Sequence, residues 1–292
     1  MAGIPHLERS ELEDLARKTL AEDLGEAGDI TSKRIVRIDQ PGRARIVGKS
    51  PGIMAGIPVA DAVFAAVDKG LAVEWRASDG AAIEPGMLLA DLEGRARAIL
   101  AAERVALNFL QHLSGVATLT SQFVQRCSPH GVRVLCTRKT APGLRAVQRY
   151  AVAVGGGGLH RAGLFDAILI KTNHMRLSGG ITEALKRTKA NPNLEAEVEV
   201  RDLDELEEAI SGGADRILLD NANLKTIAAA VKATRSRVFL EISGGVNLEN
   251  VEAIAKLKPD AISVGRITHS VPSVDISLEV MGPAGVAPSA KA

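Results

Sequence analysis

The sequence predicts an α/β protein, with an incomplete parallel α/β barrel that follows an N-terminal α+β domain. From about residue 130 onward, short β-branched runs alternate with amphipathic helical runs, and repeated strand–helix units imply right-handed crossovers and a parallel sheet. Aromatic residues make up only 2% of the chain, whereas 46% of it is hydrophobic. The core is therefore predicted to be aliphatic, as in β-branched strands packed against Ala/Leu-rich helices.

The first domain is predicted to span residues 1–112. The N-terminal segment MAGIPHLERSELEDLARKTLAEDLG is amphipathic, which indicates a surface helix instead of a signal peptide. The β-like pieces ARIVGKSPG and LAVEWRASDG follow it. A long helix-periodic run at residues 95–120 leads into the second half, and its Gly115 marks either a helix end or a bend. The most apolar run, at residues 52–67, is too interrupted to span a bilayer, so no membrane segment is expected.

The second domain is predicted to span residues 113–274 and to contain six strands. These are VRVLCT (132–137), DAILIK (166–171), EAEVEV (195–200), DRILLD (215–220), RVFLEI (237–242) and DAISVG (260–265). Five amphipathic runs predict the helices between them: GLRAVQRYAVAV, GGITEALKRTKA, LDELEEAISGG, NLKTIAAAVKATR and NLENVEAIAKL. The last segment, 275–292, is expected to pack against the first domain, and its Ala/Pro/Gly-rich end at 281–292 to be loosely held.

The alternation alone fits an open doubly wound sheet as well as a barrel. The polar residues favour the barrel, because nearly every strand ends in a residue with useful chemistry, and only in a barrel do all strand ends open onto one mouth. With six clear strands, the barrel is expected to be incomplete.

Composition excludes several classes of protein. The formal net charge of +1 provides no global field toward nucleic acid or a membrane surface, so an anion site would need local clustering. Two cysteines are too few for a disulfide framework. We therefore expect a cytoplasmic protein that binds neither nucleic acid nor membranes.

Five cations follow predicted strands or a glycine run, and they are candidates for an anion pocket. Arg138 and Lys139 follow the first strand, and Lys171 ends the second. His160 and Arg161 follow four glycines, Gly155 to Gly158, which form either a phosphate loop or a bend that delivers the two basic side chains. Each cation alone is also typical of a solvated turn, a barrel rim or a structural histidine. Together they suit a ligand with more than one carboxylate or phosphate.

Two acids and two loops complete the candidate site. Glu199 and Asp220, near the ends of adjacent strands, are candidate Mg²⁺ ligands or salt-bridge partners of the cations, with Glu197 as an alternative ligand. Two later loops resemble a barrel phosphate site, in which backbone N–H groups hold the phosphate. They carry Ser243, Gly244, Gly245 and Gly265.

The ordered motifs TRKTAPGLR, GGGGLHRAGL, DAILIKTNH, EVEV, ILLDN, LEISGG and ISVGRITHSVPSVDISL resemble the quinolinate phosphoribosyltransferase family. The family is also called nicotinate-nucleotide pyrophosphorylase (carboxylating). The earlier motifs EDLGEAGDITS, GIMAGIPVADAVF and AAERVALNFLQHLSGVAT also match, so the resemblance covers about residues 7–279. It implies transfer of phosphoribosyl from phosphoribosyl pyrophosphate to quinolinate, with release of pyrophosphate and CO₂, giving nicotinate mononucleotide for NAD synthesis.

The resemblance also implies Mg²⁺ and a homodimer with a shared active site, and it leaves larger oligomers open. It assigns quinolinate to Arg138, Lys139, His160, Arg161 and Lys171, with Arg104 contributed across the dimer. It places Glu199 and Asp220 beside the ribose and Mg²⁺, held directly or through water and substrate, and Ser243, Gly244, Gly245 and Gly265 at phosphate. Lys139, Glu199 and Asp220 are the catalytic candidates.

Two positions depart from the family pattern, which commonly has Asn at Leu159 and Asp at Thr172. A related group of molybdenum-transport-associated proteins shares some motifs but fits less well, because the HR, IK and LDN set is present here. Two other functions remain open from the residues alone. One is an aldolase with a Schiff base on Lys171. The other is a barrel that only binds an acidic metabolite, which would leave Glu199 and Asp220 without a task.

Overall fold

The computed structural model describes residues 3–189, 194–235 and 237–281, and the chain forms two compact units. Of the described residues, the α+β unit contains Ile4–Thr118, Ala146–Gly155 and residues 271–281, and the barrel unit contains Leu119–Arg145 and Gly156–Ser270. The chain first passes from the α+β unit to the barrel unit after Thr118 and last returns after Ser270. The predicted boundaries after residues 112 and 274 lie near these two points. All of the predicted loose tail except Met281 lies outside the described residues.

The α+β unit is built on an antiparallel sheet. Its helices are α1 (Arg9–Leu24), α2 (Ile30–Ile35), α3 (Ile57–Val67) and most of α4 (Ala96–Cys127). Its strands are β1 (Pro41–Gly48), β2 (Gly52–Ile53), β3 (Ala72–Trp75), β4 (Ala82–Ile83), β5 (Leu88–Arg95) and β12 (Ile276–Met281). The main sheet has the order β12-β1-β5-β3, and β2 pairs with β4. The last strand therefore joins the sheet of the first domain, with Ile46 opposite Leu278.

The barrel unit confirms the predicted parallel α/β class. Its strands are β6 (Arg133–Leu135), β7 (Ile168–Ile170), β8 (Ala196–Val200), β9 (Arg216–Asp220), β10 (Phe239–Ser243) and β11 (Ala261–Ser263), in the order β6-β11-β10-β9-β8-β7. Its helices are α6 (Thr172–Ser178), α7 (Ile181–Thr188), α8 (Leu203–Ser211), α9 (Leu224–Thr234), α10 (Val251–Ala255) and α11 (Arg266–His269). Helix α5 (Arg145–Val154) lies mostly in the other unit. Among the described residues, β6 and β7 are not paired, so the barrel is incomplete.

Local sequence explains where the barrel helices begin. Asp202 accepts a hydrogen bond from the Glu205 N–H, and Asn223 accepts one from the Thr226 N–H, so each side chain caps the helix that follows it. The strands between are aliphatic and buried, as in Ile217 and Leu219 of β9. The capped helices lead the chain back so that all six strands run in one direction.

Helix α4 differs from the expectation that Gly115 ends or bends a helix, since it continues through Gly115 to Cys127. A Cβ at this position would lie 2.3 Å from the Pro272 carbonyl oxygen, so the missing side chain allows a close backbone approach. Both cysteines are buried, as expected of small hydrophobic residues. In the described part of the chain, no helix has the length and hydropathy needed to cross a bilayer.

Candidate active site

The parallel strands of the barrel bring the predicted residues to one edge. Arg138 and Lys139 follow β6, Lys171 follows β7, and Glu199 is the last residue but one of β8. Asp220 ends β9, Ser243 ends β10 with Gly244 and Gly245 after it, and Gly265 follows β11. Since the carboxyl ends of parallel strands open on the same side, these side chains border one mouth. Arg104 lies in the other unit, where it is exposed on α4.

The four-glycine run places His160 and Arg161 beside this mouth. The Gly158 N–H donates to the Val134 carbonyl at 2.7 Å, and the Cys136 N–H donates to the Gly158 carbonyl at 3.1 Å. Gly158 thus extends the sheet beyond the free edge of β6. A Cβ on Gly158 would lie 2.6 Å from Leu135 Cδ2, so close packing requires glycine here. The run acts as a packed bend, the second of the two interpretations left open by its sequence.

Arg138 and Arg161 form a cationic pair with unused donors. Among the described residues, the buried Nε atoms of both arginines have no hydrogen-bond partner. Burial and the charge of Arg138 lower the pKa of Arg161, while one of its Nη atoms donates to the Ala167 carbonyl at 3.2 Å. Two like charges with buried, unpaired N–H groups are unfavourable unless an anion joins them. The pair is suited to a carboxylate.

Glu199 is held ionised between Lys171 and Thr172. The Lys171 ammonium donates to Glu199 Oε2 at 2.5 Å, and the Thr172 hydroxyl donates to Oε1 at 3.3 Å. Burial alone would raise the pKa of Glu199, but the bonds and charge of these neighbours outweigh burial and lower it. Thr172, a departure from the family pattern, thus supplies a neutral donor to a candidate catalytic acid.

Asp220 is linked to the glycine loop after β10 through Asn221. The Asn221 amide donates to Asp220 Oδ2 at 2.8 Å, and its backbone N–H donates to the Ser243 carbonyl at 2.9 Å. Asn221 has a φ of 54°, a left-handed conformation that Asn adopts more readily than most residues. A Cβ on Gly244 would lie 2.3 Å from Asn221 Oδ1, so the two loops are packed together at this point.

The second glycine loop lies between Lys139 and His269, a residue that the sequence analysis did not predict as part of the site. A Cβ on Gly265 would lie 3.1 Å from Lys139 Cδ and 3.3 Å from His269 Nε2. The Thr268 hydroxyl also donates to the Lys139 carbonyl at 2.8 Å, which ties the loop after β11 to the loop after β6. The position of His269 just beyond a strand-end glycine was the available sequence signal.

The His160 ring points into the barrel interior, where it lies close to two acids. Its Nε2 lies 2.8 Å from Glu197 Oε2 and 3.7 Å from Glu241 Oε1. Burial lowers the pKa of His160, but the two acids outweigh burial, and the pKa is raised. Burial and the nearby Glu197 raise the pKa of Glu241 to about 7. Glu241 was missed as a site residue, although a Glu inside the apolar run RVFLEI signals a buried charge.

The donors at the mouth fit the magnesium ion that the resemblance implies. Glu199 and Asp220 offer carboxylate oxygens at the ends of the neighbouring strands β8 and β9, and Mg²⁺ prefers oxygen ligands. Both carboxylates already accept hydrogen bonds from Lys171 or Asn221. This sharing favours a cation held partly through water and substrate oxygens.

Fold and mouth together define an α/β-barrel protein whose strand ends carry a group of cations, two carboxylates and two glycine loops. The chain belongs to the quinolinate phosphoribosyltransferase family, since residues 116–279 match the model of its C-terminal domain and residues 29–114 that of its N-terminal domain.

Relatives support the assignment over nearly the full chain. A probable nicotinate-nucleotide pyrophosphorylase (carboxylating) of Bacillus subtilis is 40% identical over 272 residues, which cover 92% of this chain and 93% of the relative. The chloroplastic enzyme of that name from Arabidopsis thaliana is 39% identical over 290 residues, with coverage of 92% and 83%.

Solved structures agree with the fold. The nicotinate-nucleotide pyrophosphorylase of Francisella tularensis superposes with a TM-score of 0.92 at 41% identity, covering 96% of this chain and all of the other. Human nicotinic acid phosphoribosyltransferase, at 12% identity and a TM-score of 0.62, shares the fold alone.

Proposed function

We propose that this chain is a decarboxylating quinolinate phosphoribosyltransferase of NAD biosynthesis. The ring nitrogen of quinolinate forms a bond to C1′ of phosphoribosyl pyrophosphate as the bond from C1′ to pyrophosphate breaks. The carboxylate next to the alkylated nitrogen then leaves as CO₂, and the ring carbon takes up a proton. The product is nicotinate mononucleotide. Family membership supports this activity, and the unpaired donors of Arg138 and Arg161 are the structural observation that carries it.

Quinolinate is a dianion, so its binding needs more than one fixed positive charge. Arg138 and Arg161 offer charge-assisted hydrogen bonds to a carboxylate, and Arg suits bidentate contacts. Lys171 adds a point charge at the same mouth. His160 is expected in this set from the resemblance, although in the structure its ring contacts Glu197.

The ribose that loses pyrophosphate develops positive charge at C1′ and its ring oxygen. Glu199, which the Lys171 and Thr172 contacts keep ionised, can stabilise this charge, and Asp220 lies on the neighbouring strand. Fixed charges aimed at a developing charge are effective because they need no reorganisation during the reaction. We assign both acids to the ribose.

The glycine loops are assigned to phosphate. Gly244 and Gly245 have φ values of 89° and 62°, and consecutive backbone N–H groups in such turns form anion-binding concavities. Ser243 adds a hydroxyl, and Gly265 lies beside Lys139 and His269. Mg²⁺ held near Glu199 and Asp220 would neutralise charge on the leaving pyrophosphate.

Lys139 is exposed beside the Gly265 loop, and we assign it an electrostatic role. A cation there can stabilise either the pyrophosphate charge or the carbanion that forms on the ring as CO₂ departs. The Schiff-base alternative at Lys171 is less well supported, because its ammonium pairs with Glu199.

We further propose a cytoplasmic homodimer in which Arg104 of one subunit completes the site of the other. The exposure of Arg104 on α4, with 54% of its side chain accessible, supports a role outside its own unit. The barrel arginines of one subunit would then form two sides of the quinolinate pocket and Arg104 of the partner the third.

The activity is tested by incubating the purified chain with phosphoribosyl pyrophosphate, Mg²⁺ and either quinolinate or nicotinate. We expect nicotinate mononucleotide and pyrophosphate from quinolinate only, because nicotinate lacks the second carboxylate. Product from nicotinate but not from quinolinate would contradict the proposal. Trapping with borohydride in the presence of carbonyl compounds should give no adduct on Lys171.

A further inference from the structure

A network of polar and charged residues lies in the barrel interior, and His160 is the one member that is also assigned to a substrate. Its members are Glu197 on β8, Arg216 on β9, Glu241 on β10, Ser263 on β11 and His160 from the glycine bend. Glu241 is fully buried and Glu197 is 4% exposed. None of the five acts in the transfer reaction through these contacts, so the network needs its own explanation.

The contacts bind the five residues into one unit. Arg216 lies 3.8 Å from Glu197 Oε1 and 3.5 Å from Glu241 Oε2, and the Ser263 hydroxyl donates to Glu241. The Arg216 guanidinium also stacks over the Phe239 ring, 4.1 Å from its centroid. Strands β8, β9, β10 and β11 are therefore joined through side chains inside the barrel.

Such a network is not an efficient way to stabilise a core. Removing two carboxylates from water is costly, and well-packed apolar residues often stabilise an interior as well or better. Neighbouring positions on the same face of the sheet are aliphatic and buried, such as Leu169, which pairs with Glu197, and Leu218, two residues after Arg216. A buried polar network does, however, restrict the arrangement of its members. Among the described residues, Glu197 Oε1 and Arg216 Nε have no hydrogen-bond partner, so this network is held by its ion pairs and by the His160–Glu197 and Ser263–Glu241 hydrogen bonds.

The member that needs fixing is His160. Its segment pairs with the sheet at the open edge, through the backbone of Gly158 and β6. The ring reaches across the interior to Glu197 at 2.8 Å, which anchors the segment to a strand on the other side of the gap.

His160 in turn holds the backbone of the next residue, Arg161. The Arg161 N–H donates to His160 Nδ1 at 2.7 Å, and this nitrogen can accept only while its lone pair is free. In this arrangement the ring proton lies on Nε2 and points to Glu197. One continuous path thus runs from Glu197 through the imidazole to the backbone of Arg161, whose side chain carries an unpaired buried Nε.

We infer that Glu197 and Glu241 are positioning residues for quinolinate. Glu197 holds the His160 ring across the barrel, the ring holds the backbone of Arg161, and Glu241 keeps Arg216 and Glu197 in place. This inference rests on the proposed function, since it names Arg161 as a ligand of the dianion. It assigns no contact with substrate to either acid.

The test compares two replacements of similar size, Glu197→Met and Glu197→Gln. Both remove the charge next to Arg216, but only the glutamine keeps an oxygen that can accept the His160 proton. We expect quinolinate to bind about tenfold or more weaker to Glu197→Met than to Glu197→Gln, because a misplaced binding group loses orientation. The KM for phosphoribosyl pyrophosphate should change less than about twofold in both, since Glu199 is held by Lys171 and Thr172 and neither contact involves Glu197. Equal quinolinate affinity in the two folded variants would overturn the inference.

Thr234→Val serves as the control for a buried polar loss elsewhere in the barrel. The Thr234 hydroxyl is buried and donates to the Ala230 carbonyl, outside the network. This variant should lower the melting temperature and leave quinolinate affinity unchanged. If Glu197→Met does not fold, Glu241→Gln replaces it, and a wild-type quinolinate affinity in that variant would overturn the inference.

A second readout separates failure of this inference from failure of the proposed function. If the wild type does not bind quinolinate, the proposed function fails, whereas the network is still tested by ¹⁵N NMR of the His160 ring without ligand. We expect the Nε2–H signal to shift and exchange faster in Glu197→Met than in Glu197→Gln. Identical ring signals in the two variants would overturn the inference whatever the enzyme's substrate.

Discussion

At the scale of single residues, Arg138 and Arg161 indicate an anionic ligand most directly. Their buried Nε atoms have no partner within the described chain, and each guanidinium carries a permanent charge. Lys171 differs, because it already pairs with Glu199. The arginines therefore gain most when a dianion enters, whereas Lys171 must share its charge.

Replacing Arg161 tests this assignment. Arg161→Ala should remove a charge-assisted contact of roughly 1.5–3 kcal/mol, which corresponds to a loss of quinolinate affinity of about tenfold or more. Isothermal titration with quinolinate measures the change. Arg187→Ala, which breaks an exposed ion pair with Glu183 in the same unit, is the matched control and should bind like the wild type. Unchanged affinity in Arg161→Ala would refute its role.

Asn221 is expected to act on the other substrate. Asn221→Gly keeps the left-handed backbone that glycine accepts but removes the amide that holds Asp220, whereas Asn221→Ala also adds strain. Both variants should raise the KM for phosphoribosyl pyrophosphate by about tenfold, as expected for a lost hydrogen bond to a charged group, and leave quinolinate affinity intact. In addition, the alanine variant should have a lower free energy of unfolding than the glycine variant, because of the backbone strain. A normal KM in both would show that Asp220 needs no such support.

Glu241 predicts a pH dependence of stability. Its pKa in the fold is about 7, above the ordinary value of an unfolded Glu, so the folded state binds a proton more tightly. The stabilisation from this proton is full below the unfolded pKa and is lost as the pH rises through about 7. Urea unfolding should show the wild type losing stability relative to Glu241→Gln between about pH 5 and about pH 8. A constant difference across this range would contradict the raised pKa.

The sequence predicted the mouth residues better than the interior ones. Lys171 and Asp220 end apolar β-runs, and strand ends of a parallel barrel converge, so their shared location follows from pattern alone. The contact of His160 with Glu197 could not be predicted, because it joins positions 37 residues apart across the barrel. The alternation of residues predicts which face of a strand a side chain occupies. It does not predict which side chain of an irregular segment contacts that face.

At the scale of elements, the glycine bend is the part that sequence described least. All six predicted strands exist, since each is a run of β-branched residues bounded by turns. Helix α6 was missed because DAILIKTNH reads as a strand followed by a turn, and β5 was missed because LLADLEGR has a mixed pattern. The bend itself joins the sheet through Gly158, a pairing that four consecutive glycines do not reveal.

Gly158→Ala tests the packing of this bend. The new methyl would meet Leu135 Cδ2 at 2.6 Å, and overpacking of this kind costs about 1–3 kcal/mol of unfolding free energy. Shortening Leu135 to alanine should relieve the clash, so the Gly158→Ala, Leu135→Ala double variant should lose less stability than the sum of the single variants. Strict additivity in denaturant unfolding would show that the close contact is not limiting.

At the scale of the whole molecule, the chain forms two units, and each unit is built from segments that are not consecutive in the sequence. The last described strand, β12, pairs with β1, and residues 146–155 belong with the first domain. Sequence patterns could not predict that these two segments belong with the first domain, because their positions depend on partners far away in the chain. The proposed dimer adds a further level, with Arg104 and the barrel cations in different subunits.

Mixing inactive subunits tests the shared site. Arg104→Ala and Lys171→Ala should each abolish activity as homodimers, since each removes a cation from the pocket. In a heterodimer, one of the two sites regains both residues, so mixed and reassembled chains should recover activity up to about one quarter of the wild type if subunits pair at random. Mass spectrometry controls for mixing. No recovery in confirmed heterodimers would refute a site completed across the dimer.

The most direct test of the proposed activity follows the two carboxyl carbons of quinolinate separately. With ¹³C in the carboxylate next to the ring nitrogen, the account predicts labelled CO₂, pyrophosphate and nicotinate mononucleotide in equal amounts, and no label in the nucleotide. With ¹³C in the other carboxylate, all label should remain in the nucleotide. Consumption of phosphoribosyl pyrophosphate without CO₂ release, or no turnover of quinolinate at all, would contradict the account.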